Sequence, residues 1–187
     1  ASAFEPGSGN TIMSYAGVCG GGQNVQNSSD DYFHNRSLEQ MTLFSRVGLG
    51  ANCAAIVPTD NVPPEVTLPY SNNFYIPIST PFELTATATD ANGDELTYCW
   101  EQYDLGPNSS LGSPTGDAPA FRSFRPTNSP TRVFPRLQNI INNTSSNAEV
   151  LPTYDRTLTF RCTVRDNFPG SGAAVWRQVR FLSTSSA

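Results

Sequence analysis

The segment that most constrains the fold is residues 158–165, in which apolar and polar residues alternate without interruption. Strict period-two alternation predicts a β-strand with one face on a core and one face toward water. The residues predicted to point inward are Leu158, Phe160, Cys162 and Val164, and those predicted to point outward are Thr159, Arg161, Thr163 and Arg165.

Other short segments repeat this pattern. Residues 82–89, 95–102 and 174–181 alternate, with Leu96, Tyr98 and Trp100 on one face, and we expect a further strand within 129–135. Short strands separated by turns rich in Pro, Gly and Asn are typical of a two-sheet β-sandwich, which we place at residues 65–183. The fold class is therefore mainly β, and residues 184–187 are interpreted as a tail.

A smaller unit precedes the sandwich. Within residues 1–57, Ser37 and Gln40 form a capping-box pattern, an apolar stripe follows, and Gly48 ends it, which predicts one helix at 37–47. The stripe consists of Leu38, Met41 and Phe44. One helix and a turn are too small to enclose a core. This unit must therefore pack on the β domain, on an upstream fragment, or on both. Residues 58–64, which include Pro63 and Pro64, are interpreted as the linker.

Composition excludes several classes of function. The net charge of -5 argues against binding to nucleic acid or to anionic membranes, both of which need clustered Lys and Arg. No run of about eighteen apolar residues is present to span a bilayer. Four cysteines without a C-x-x-C spacing favour disulfides over a metal site, which indicates an oxidising compartment and a secreted protein. We expect any signal peptide to lie upstream.

Residues 9–17 form a tight turn of small residues around Met13, and Tyr15 follows two positions later. With Cys19, the segment 29–34, the predicted helix and Cys53, this run resembles the C-terminal subdomain of metzincin zinc peptidases, specifically the reprolysin-like secreted metallopeptidases of bacteria. The resemblance implies that Met13 is the Met-turn methionine, which lies beneath a zinc ion held by three histidines of an H-E-x-x-H-x-x-G-x-x-H helix.

Tyr15 would, by the same resemblance, swing onto the zinc or stabilise the tetrahedral intermediate. The alternative interpretations remain open at this stage. Met13 would simply fill a core, because methionine adapts to irregular gaps. Tyr15 would pack under the turn with its hydroxyl group bonded to the backbone.

The H-E-x-x-H motif is absent from the sequence. His34 is the one histidine, and a catalytic zinc needs three protein ligands, so we expect His34 to be structural. Asp30 and Asp31 are expected to cap the approach to the helix or to lie in solvent. The chain by itself is predicted to be inactive, and the zinc would be bound only in the full-length enzyme, with an upstream catalytic fragment and a protein or peptide substrate as partners.

Residues 89–100 and 163–167 look like the third and sixth strands of PKD- or cadherin-like immunoglobulin-type domains, which commonly follow the peptidase in this family. The resemblance thus extends over nearly the whole chain. It implies a fragment of a secreted zinc metalloendopeptidase with an ancillary Ig-like domain. The alternatives are a non-catalytic extracellular adhesion or binding module and an extracellular spacer. An upstream H-E-x-x-H-x-x-G-x-x-H motif would favour the peptidase fragment over these alternatives.

Two disulfides are predicted, Cys19–Cys53 and Cys99–Cys162, because each pairing stays within one unit. Strict alternation places Cys162 inward and Cys99 on the face opposite Trp100. The second bond therefore requires a bulge near Cys99.

Hard oxygen ligands recur at three places that an immunoglobulin-type topology brings to one end of the domain. They are Asp60 and Asn61 in the linker, Asp90, Asn92 and Asp94 in a loop, and Asp166 after a strand. Calcium prefers such ligands, so we expect a calcium site at the junction of the two units. The alternative is that Asn92 and Gly93 form a hairpin-type turn surrounded by solvated acids.

Overall fold

The structure, a computed structural model, describes residues 3–53 and 55–186 and is mainly β. Its helices are α1 (Asn35–Arg46) and the short α2 (Leu137–Ile141), and a 3-10 turn covers Leu49–Asn52. The strands are β1 (Glu65–Thr67), β2 (Tyr75–Pro77), β3 (Phe82–Thr85), β4 (Thr87–Thr89), β5 (Thr97–Gln102), β6 (Thr131–Phe134), β7 (Arg156–Arg165) and β8 (Ala174–Thr184).

Three sheets enclose one core. The largest has the order β2-β8-β7-β5, and β1 pairs with β4 while β3 pairs with β6. All neighbours are antiparallel except β2 and β8, which are parallel. This arrangement is compatible with a β-sandwich. We call residues 65–184 the β unit and residues 3–53 the N-terminal unit.

Phenylalanine rings dominate the core. Phe134, Phe160 and Phe181 are completely buried, and the centroids of Phe134 and Phe160 lie 4.6 Å apart. Phe82 stacks on Phe134 at 4.9 Å. The inward residues predicted for β7 all belong to this core: Leu158, Phe160, Cys162 and Val164. The predicted inward face of β5 is also confirmed, since Trp100 lies in the core and Leu96 and Tyr98 pack against it.

Two strand predictions differ from the structure in detail. The segment 82–89 is not one strand but two, because β3 pairs with β6 whereas β4 pairs with β1. The strand expected within 129–135 is present as β6. At the C-terminus β8 continues through Thr184, where the tail was expected, and Ser185 N donates to Asp155 Oδ1 at 2.7 Å. Ala187 lies outside the described residues.

Helix α1 begins earlier than its sequence predicted. Its N-cap is His34 rather than Ser37, and His34 Nδ1 accepts a hydrogen bond from Arg36 N at 3.1 Å. The C-terminal boundary agrees with the prediction, since the helix ends at Arg46 and Gly48 N donates to Leu43 O at 2.8 Å. A histidine can replace serine at this position because its ring nitrogen accepts the same type of backbone hydrogen bond.

The N-terminal unit covers the face of the β5–β7 pair that points away from the core. Thr163 was predicted to face solvent, yet it is completely buried, and its Oγ1 accepts a hydrogen bond from Asn35 Nδ2 at 2.9 Å. Thr159 is buried as well. The sheet is therefore covered on both sides here, although its second face is polar. In the described part of the chain, no helix has the length and apolarity needed to cross a membrane.

Candidate functional site

The turn at residues 9–17 is fixed from below by the carboxylate of Glu5. Oε1 of Glu5 accepts hydrogen bonds from Asn10 N at 2.8 Å and from Thr11 N at 3.2 Å. Oε2 accepts one from Thr11 Oγ1 at 2.7 Å. Three hydrogen bonds to one ionised group define the start of the turn, because hydrogen bonds to charged groups are stronger than neutral ones.

A buried asparagine joins the turn to the segment before α1. Asn10 is completely buried, and its Nδ2 donates to Asp30 Oδ2 at 2.9 Å and to Tyr32 Oη at 3.1 Å. Asp30 N donates in turn to Asn10 O at 2.7 Å. Burial raises the pKa of Tyr32, so its hydroxyl stays protonated.

The turn closes at a glycine. Gly17 has φ +81°, and a Cβ atom placed on it would lie 2.1 Å from the carbonyl oxygen of Asn27. Only glycine combines that backbone angle with such a close approach. The turn is therefore held at Glu5, at Asn10 and at Gly17.

The side chains at the tip of this turn point into solvent. Met13 is 68 % exposed and Tyr15 is 72 % exposed, so neither alternative that buried them fits. Met13 does not fill a core, and Tyr15 does not pack beneath the turn. Met13 instead lines a groove of about 220 Å³ together with Phe4, His34 and Met41.

Apolar side chains remain uncovered on the same unit. Besides Met13 and Tyr15, the large exposed apolar residues of the N-terminal unit are Ile12, Val18, Met41, Leu43, Phe44, Val47 and Leu49. Met13 and Met41 line one groove and Phe44 follows Met41 by one turn of α1, so these three lie close together, and a monomeric protein rarely leaves a contiguous apolar patch in solvent. The N-terminal unit therefore packs on the β unit through polar residues and the stacking of Phe4 on Tyr103, and it keeps much of its apolar surface free.

His34 has a structural position. It is buried, its Nδ1 caps α1, and its Nε2 lies 3.9 Å from Oε1 of Glu101. Within residues 3–53 and 55–186, no three His, Cys, Asp or Glu side chains form a group that could hold a metal ion. The residues present here do not fit a catalytic zinc ion.

Asp30 and Asp31 do not cap the helix, but Asp31 lies largely in solvent, which is the other expected position, with its side chain 78 % exposed. Asp30 lies 3.7 Å from Arg122 Nη2 and 3.5 Å from Arg125 Nε, and Asp31 pairs with Arg125 Nη1 at 2.7 Å. Both arginines belong to the β unit. These ion pairs tie the segment before α1 to the neighbouring unit.

A buried polar network connects the two units and was missed from the sequence. Glu101 on β5 is completely buried, and its carboxylate accepts hydrogen bonds from Asn35 N at 2.8 Å and Ser123 Oγ at 2.6 Å. Arg161 Nη1 donates to Asn35 Oδ1 at 2.7 Å and to Glu39 Oε1 at 3.1 Å. The one indication of this network in the sequence was Glu101, a charged residue in a strand whose other face is apolar.

The residues predicted to bind calcium do meet at the junction. Asn92 Nδ2 donates to Asp60 O at 3.1 Å, and Val62 N donates to Asn92 Oδ1 at 2.8 Å. Asp90 Oδ1 accepts from Asn92 N and Asp94 N, which is the pattern of an Asx-type turn. The linker is thus attached to the loop by side-chain and backbone hydrogen bonds.

Asp166 attaches the linker to the other loop. Its Oδ2 accepts from Asn61 Nδ2 at 2.8 Å, and its Oδ1 accepts from Ala173 N at 2.7 Å and Phe168 N at 3.2 Å. Asn61 Nδ2 also donates to Ser171 O at 2.9 Å.

Three oxygen atoms at this junction are buried without a hydrogen-bond donor: Asn61 Oδ1, Asp90 Oδ2 and Asp94 Oδ2. Burial, with the charges of Asp90 and Asp166, raises the pKa of Asp94 above its ordinary value. These oxygens are the type of ligand that calcium prefers. Of the other carboxylate oxygens, Asp90 Oδ1 and both oxygens of Asp166 already accept backbone or amide hydrogen bonds.

The four cysteines are unbonded in this structure. Cys99 pairs in register with Thr163, and Trp100 pairs with Cys162, without the bulge that a Cys99–Cys162 bond requires. Cys162 therefore points into the core while Cys99 points toward Ser123 on the other face. The predicted Cys99–Cys162 pairing is not formed, because neighbouring residues on a strand point to opposite faces. The Cys19–Cys53 bond stays a prediction.

The comparisons with known proteins give no assignment: no family profile, curated protein or solved structure matches this chain.

Proposed function

We propose that this chain is the lower part of the catalytic domain of a secreted zinc metalloendopeptidase, followed by an ancillary Ig-like domain. The observation that carries the proposal is the exposed Met13 on a rigidly held turn. A turn that is fixed at three places and yet presents methionine to solvent is suited to receive another part of the protein.

The apolar surface around Met13 supports the same assignment. Met13 and Met41 share one groove, and Phe44 lies further along α1. A catalytic upper subdomain seated on this surface would remove these side chains from water, at about 25 cal/mol per Å² of apolar area. It would also bring its zinc helix above Met13.

In this proposal the chain contributes no zinc ligand. Zinc, bound by the upstream histidines, would supply the Lewis acid that polarises a peptide carbonyl group. The residues of this chain have supporting roles. Glu5 and Asn10 hold the turn, Met13 forms the surface below the metal, and the exposed phenol of Tyr15 is free to donate a hydrogen bond to a bound substrate.

The test is reconstitution. The chain alone should hold no stoichiometric zinc and cleave no casein. Co-expression with the segment encoded directly upstream should give chelator-sensitive cleavage, which Met13→Ala lowers and Leu137→Ala, an exposed apolar control on the β unit, leaves unchanged. An upstream segment without a zinc-binding helix, or equal effects of the two variants, would reject the proposal. The first outcome favours the non-catalytic adhesion module.

Calcium binding at the junction is a second proposed function, and it has a separate basis. The observation that favours it is the set of three buried oxygen atoms without donors, on Asn61, Asp90 and Asp94. A buried oxygen atom without a hydrogen-bond donor is unfavourable, and a bound cation supplies a partner for such an oxygen. Because no three His, Cys, Asp or Glu side chains of the described residues form a group that could hold a metal ion, calcium binding requires the side chains of Asp90 and Asp94 to rearrange.

A further inference from the structure

A groove of about 540 Å³ lies between strands β5 and β6. Its walls combine aromatic, basic and backbone elements, contributed mainly by Tyr98, Trp100, Phe124, Arg132, Val133 and Arg136. Glu83, on the neighbouring β3, is the acidic residue that lines it. The groove is far from Met13 in the sequence and shares no lining residue with the groove at Met13.

Residues of two strands that lie at sheet edges, β5 and β6, line this groove. Within residues 3–53 and 55–186, β6 pairs with β3 alone and β5 is the last strand of the four-stranded sheet, so each has an edge without a paired strand. β5 is joined to the far wall at one end by the backbone pair of Tyr98 and Thr127. Farther along, Arg132 Nη1 donates to Trp100 O at 2.5 Å. An open strand edge offers the backbone groups that bind an extended polypeptide.

Three guanidinium groups surround one ring in the wall of the groove. The Cζ atoms of Arg122, Arg132 and Arg136 lie 4.9, 4.8 and 4.4 Å from the centroid of Phe124. Stacking on an aromatic face fixes the plane of a guanidinium group. The ring thus holds three positive charges in defined orientations.

The protein neutralises these charges only in part. Arg132 Nη2 pairs with Glu149 Oε1 at 2.9 Å, while Arg132 Nε is buried without an acceptor. Arg122 lies 3.7 Å from Asp30, a carboxylate that Arg125 also approaches. Among the described residues, no carboxylate forms an ion pair with the side chain of Arg136, whose backbone N donates to Glu149. Of the three arginines, Arg136 alone has no carboxylate near its guanidinium group in the described part of the chain, and because its side chain is exposed an acidic ligand can pair with it.

We propose that this groove binds an extended, acidic polypeptide segment. Its backbone would lie along the free edge of β6, and a glutamate or aspartate side chain would pair with Arg136, as bidentate Arg–carboxylate contacts do. The aromatic walls formed by Tyr98 and Phe124 would pack against its apolar residues. The inference does not depend on the proposed peptidase function, because the groove belongs entirely to the β unit.

The test uses the fluorescence of Trp100 in the Trp176→Phe variant, with a short blocked peptide in which valine and glutamate alternate. The peptide should bind saturably, and binding should weaken with salt because part of it is electrostatic. The same peptide with glutamine in place of glutamate should bind about tenfold more weakly, as expected for the loss of one charge-assisted contact. Equal binding of the two peptides would overturn the proposal.

Matched variants locate the site. Arg136→Gln should weaken binding about tenfold, whereas Arg136→Lys should weaken it less because it keeps the charge. Arg180→Gln, an exposed arginine on β8, is the control and should bind as the parent does. Thermal unfolding verifies that each variant is folded. Equal losses for Arg136→Gln and Arg180→Gln, or binding of an acidic polysaccharide with no binding of the peptide, would overturn the assignment.

Discussion

The carboxylate of Glu101, on strand β5, accepts the backbone hydrogen bond of Asn35, the first residue of helix α1, at 2.8 Å. A residue of the β unit therefore satisfies one of the N–H groups that every helix leaves free at its start. The negative charge also lies at the positive end of the helix dipole. The N-terminal unit is thus ordered by its contact with the β unit.

Removing this carboxylate should release α1. Glu101→Ala leaves Asn35 N and Ser123 Oγ without their acceptor in a buried site, and we expect a loss of about 3 kcal/mol in the free energy of unfolding. Glu101→Gln keeps one acceptor oxygen and should lose about 1 kcal/mol. Urea denaturation measures both values, and hydrogen exchange of the α1 amides reports the local effect. Glu83→Ala, on an exposed glutamate of β3, is the control, and an equal loss there would contradict the explanation.

Calcium should stabilise the wild-type protein against heat. A gain of about 1 kcal/mol corresponds to about 2–4 °C in Tm for a chain of this size. The gain should disappear with EGTA and in Asp90→Ala, because Asp90 supplies one of the unpaired oxygens. Asp117→Ala, an exposed aspartate elsewhere, should respond to calcium as the wild type does. Identical melting temperatures with and without calcium would favour the alternative, in which Asn92 and Gly93 form a turn that binds no cation.

Because of Asp104, the free energy of unfolding should fall as the pH rises above the ordinary pKa of aspartate. Burial raises the pKa of Asp104, while hydrogen bonds from Gln102 and Thr159 and the charge of Arg156 oppose the shift. The folded state therefore binds the proton more tightly than the unfolded state does. The stability that Asp104 contributes is lost between its pKa in the unfolded chain, about 4, and its higher pKa in the folded protein. Above the folded pKa this contribution no longer changes with pH.

Asp104→Asn should remove this loss, because its side-chain oxygen still accepts from Thr159 N without carrying a charge. Urea denaturation at several pH values between those limits compares the slopes of the variant and the wild type. The exposed Asp117→Asn is the matched control and should keep the wild-type slope. A slope in Asp104→Asn as steep as in the wild type would assign the pH dependence to other groups.

The buried thiols should be unreactive in the folded protein. Burial raises the pKa of the Cys162 thiol to about 12, and it raises the pKa of Cys99 as well. Since only the thiolate reacts, we expect a disulfide reagent to modify neither until the protein unfolds. After unfolding, each cysteine should react with the reagent as a free thiol even without a reductant, because the two side chains lie on opposite faces of the sheet and form no disulfide. A Cys99–Cys162 peptide found under non-reducing conditions would show that the strand register is wrong.

The aromatic core should be sensitive to truncation. Phe134→Ala removes a completely buried ring that contacts Phe82, Phe121 and Phe160, and we expect a loss of about 3–5 kcal/mol. Leu137→Ala, three residues later and exposed, should change stability little. Chemical denaturation of both variants measures the difference. A similar effect at the two positions would mean that Phe134 is not part of the core.

The sequence alone determined which residues of β7 and β5 point into the core. Alternation in 158–165 placed Phe160 and Val164 inward, and the structure agrees because a strand has only two sides and period two assigns each residue to one of them. The same reasoning predicted the strand at 95–102, which is observed as β5, and the further strand expected within 129–135 is observed as β6. The loops and the linker that carry Asp60, Asp90 and Asp166 meet, as the expected immunoglobulin-type topology implied.

Only the tertiary structure decided what covers the other face of the sheet. Alternation marks Thr163 as polar but does not show whether water or Asn35 satisfies its hydroxyl group, because both are hydrogen-bonding partners. The same limit applies to Glu101, which looks like a solvent-facing residue in the sequence and is a buried cap of α1 in the fold. Met13 illustrates the converse, since an apolar residue in a compact turn stays exposed when the backbone beneath it is held by Glu5 and Asn10. Local pattern fixes the direction of a side chain along its own strand or turn, whereas its burial depends on contacts between residues that are distant in the chain.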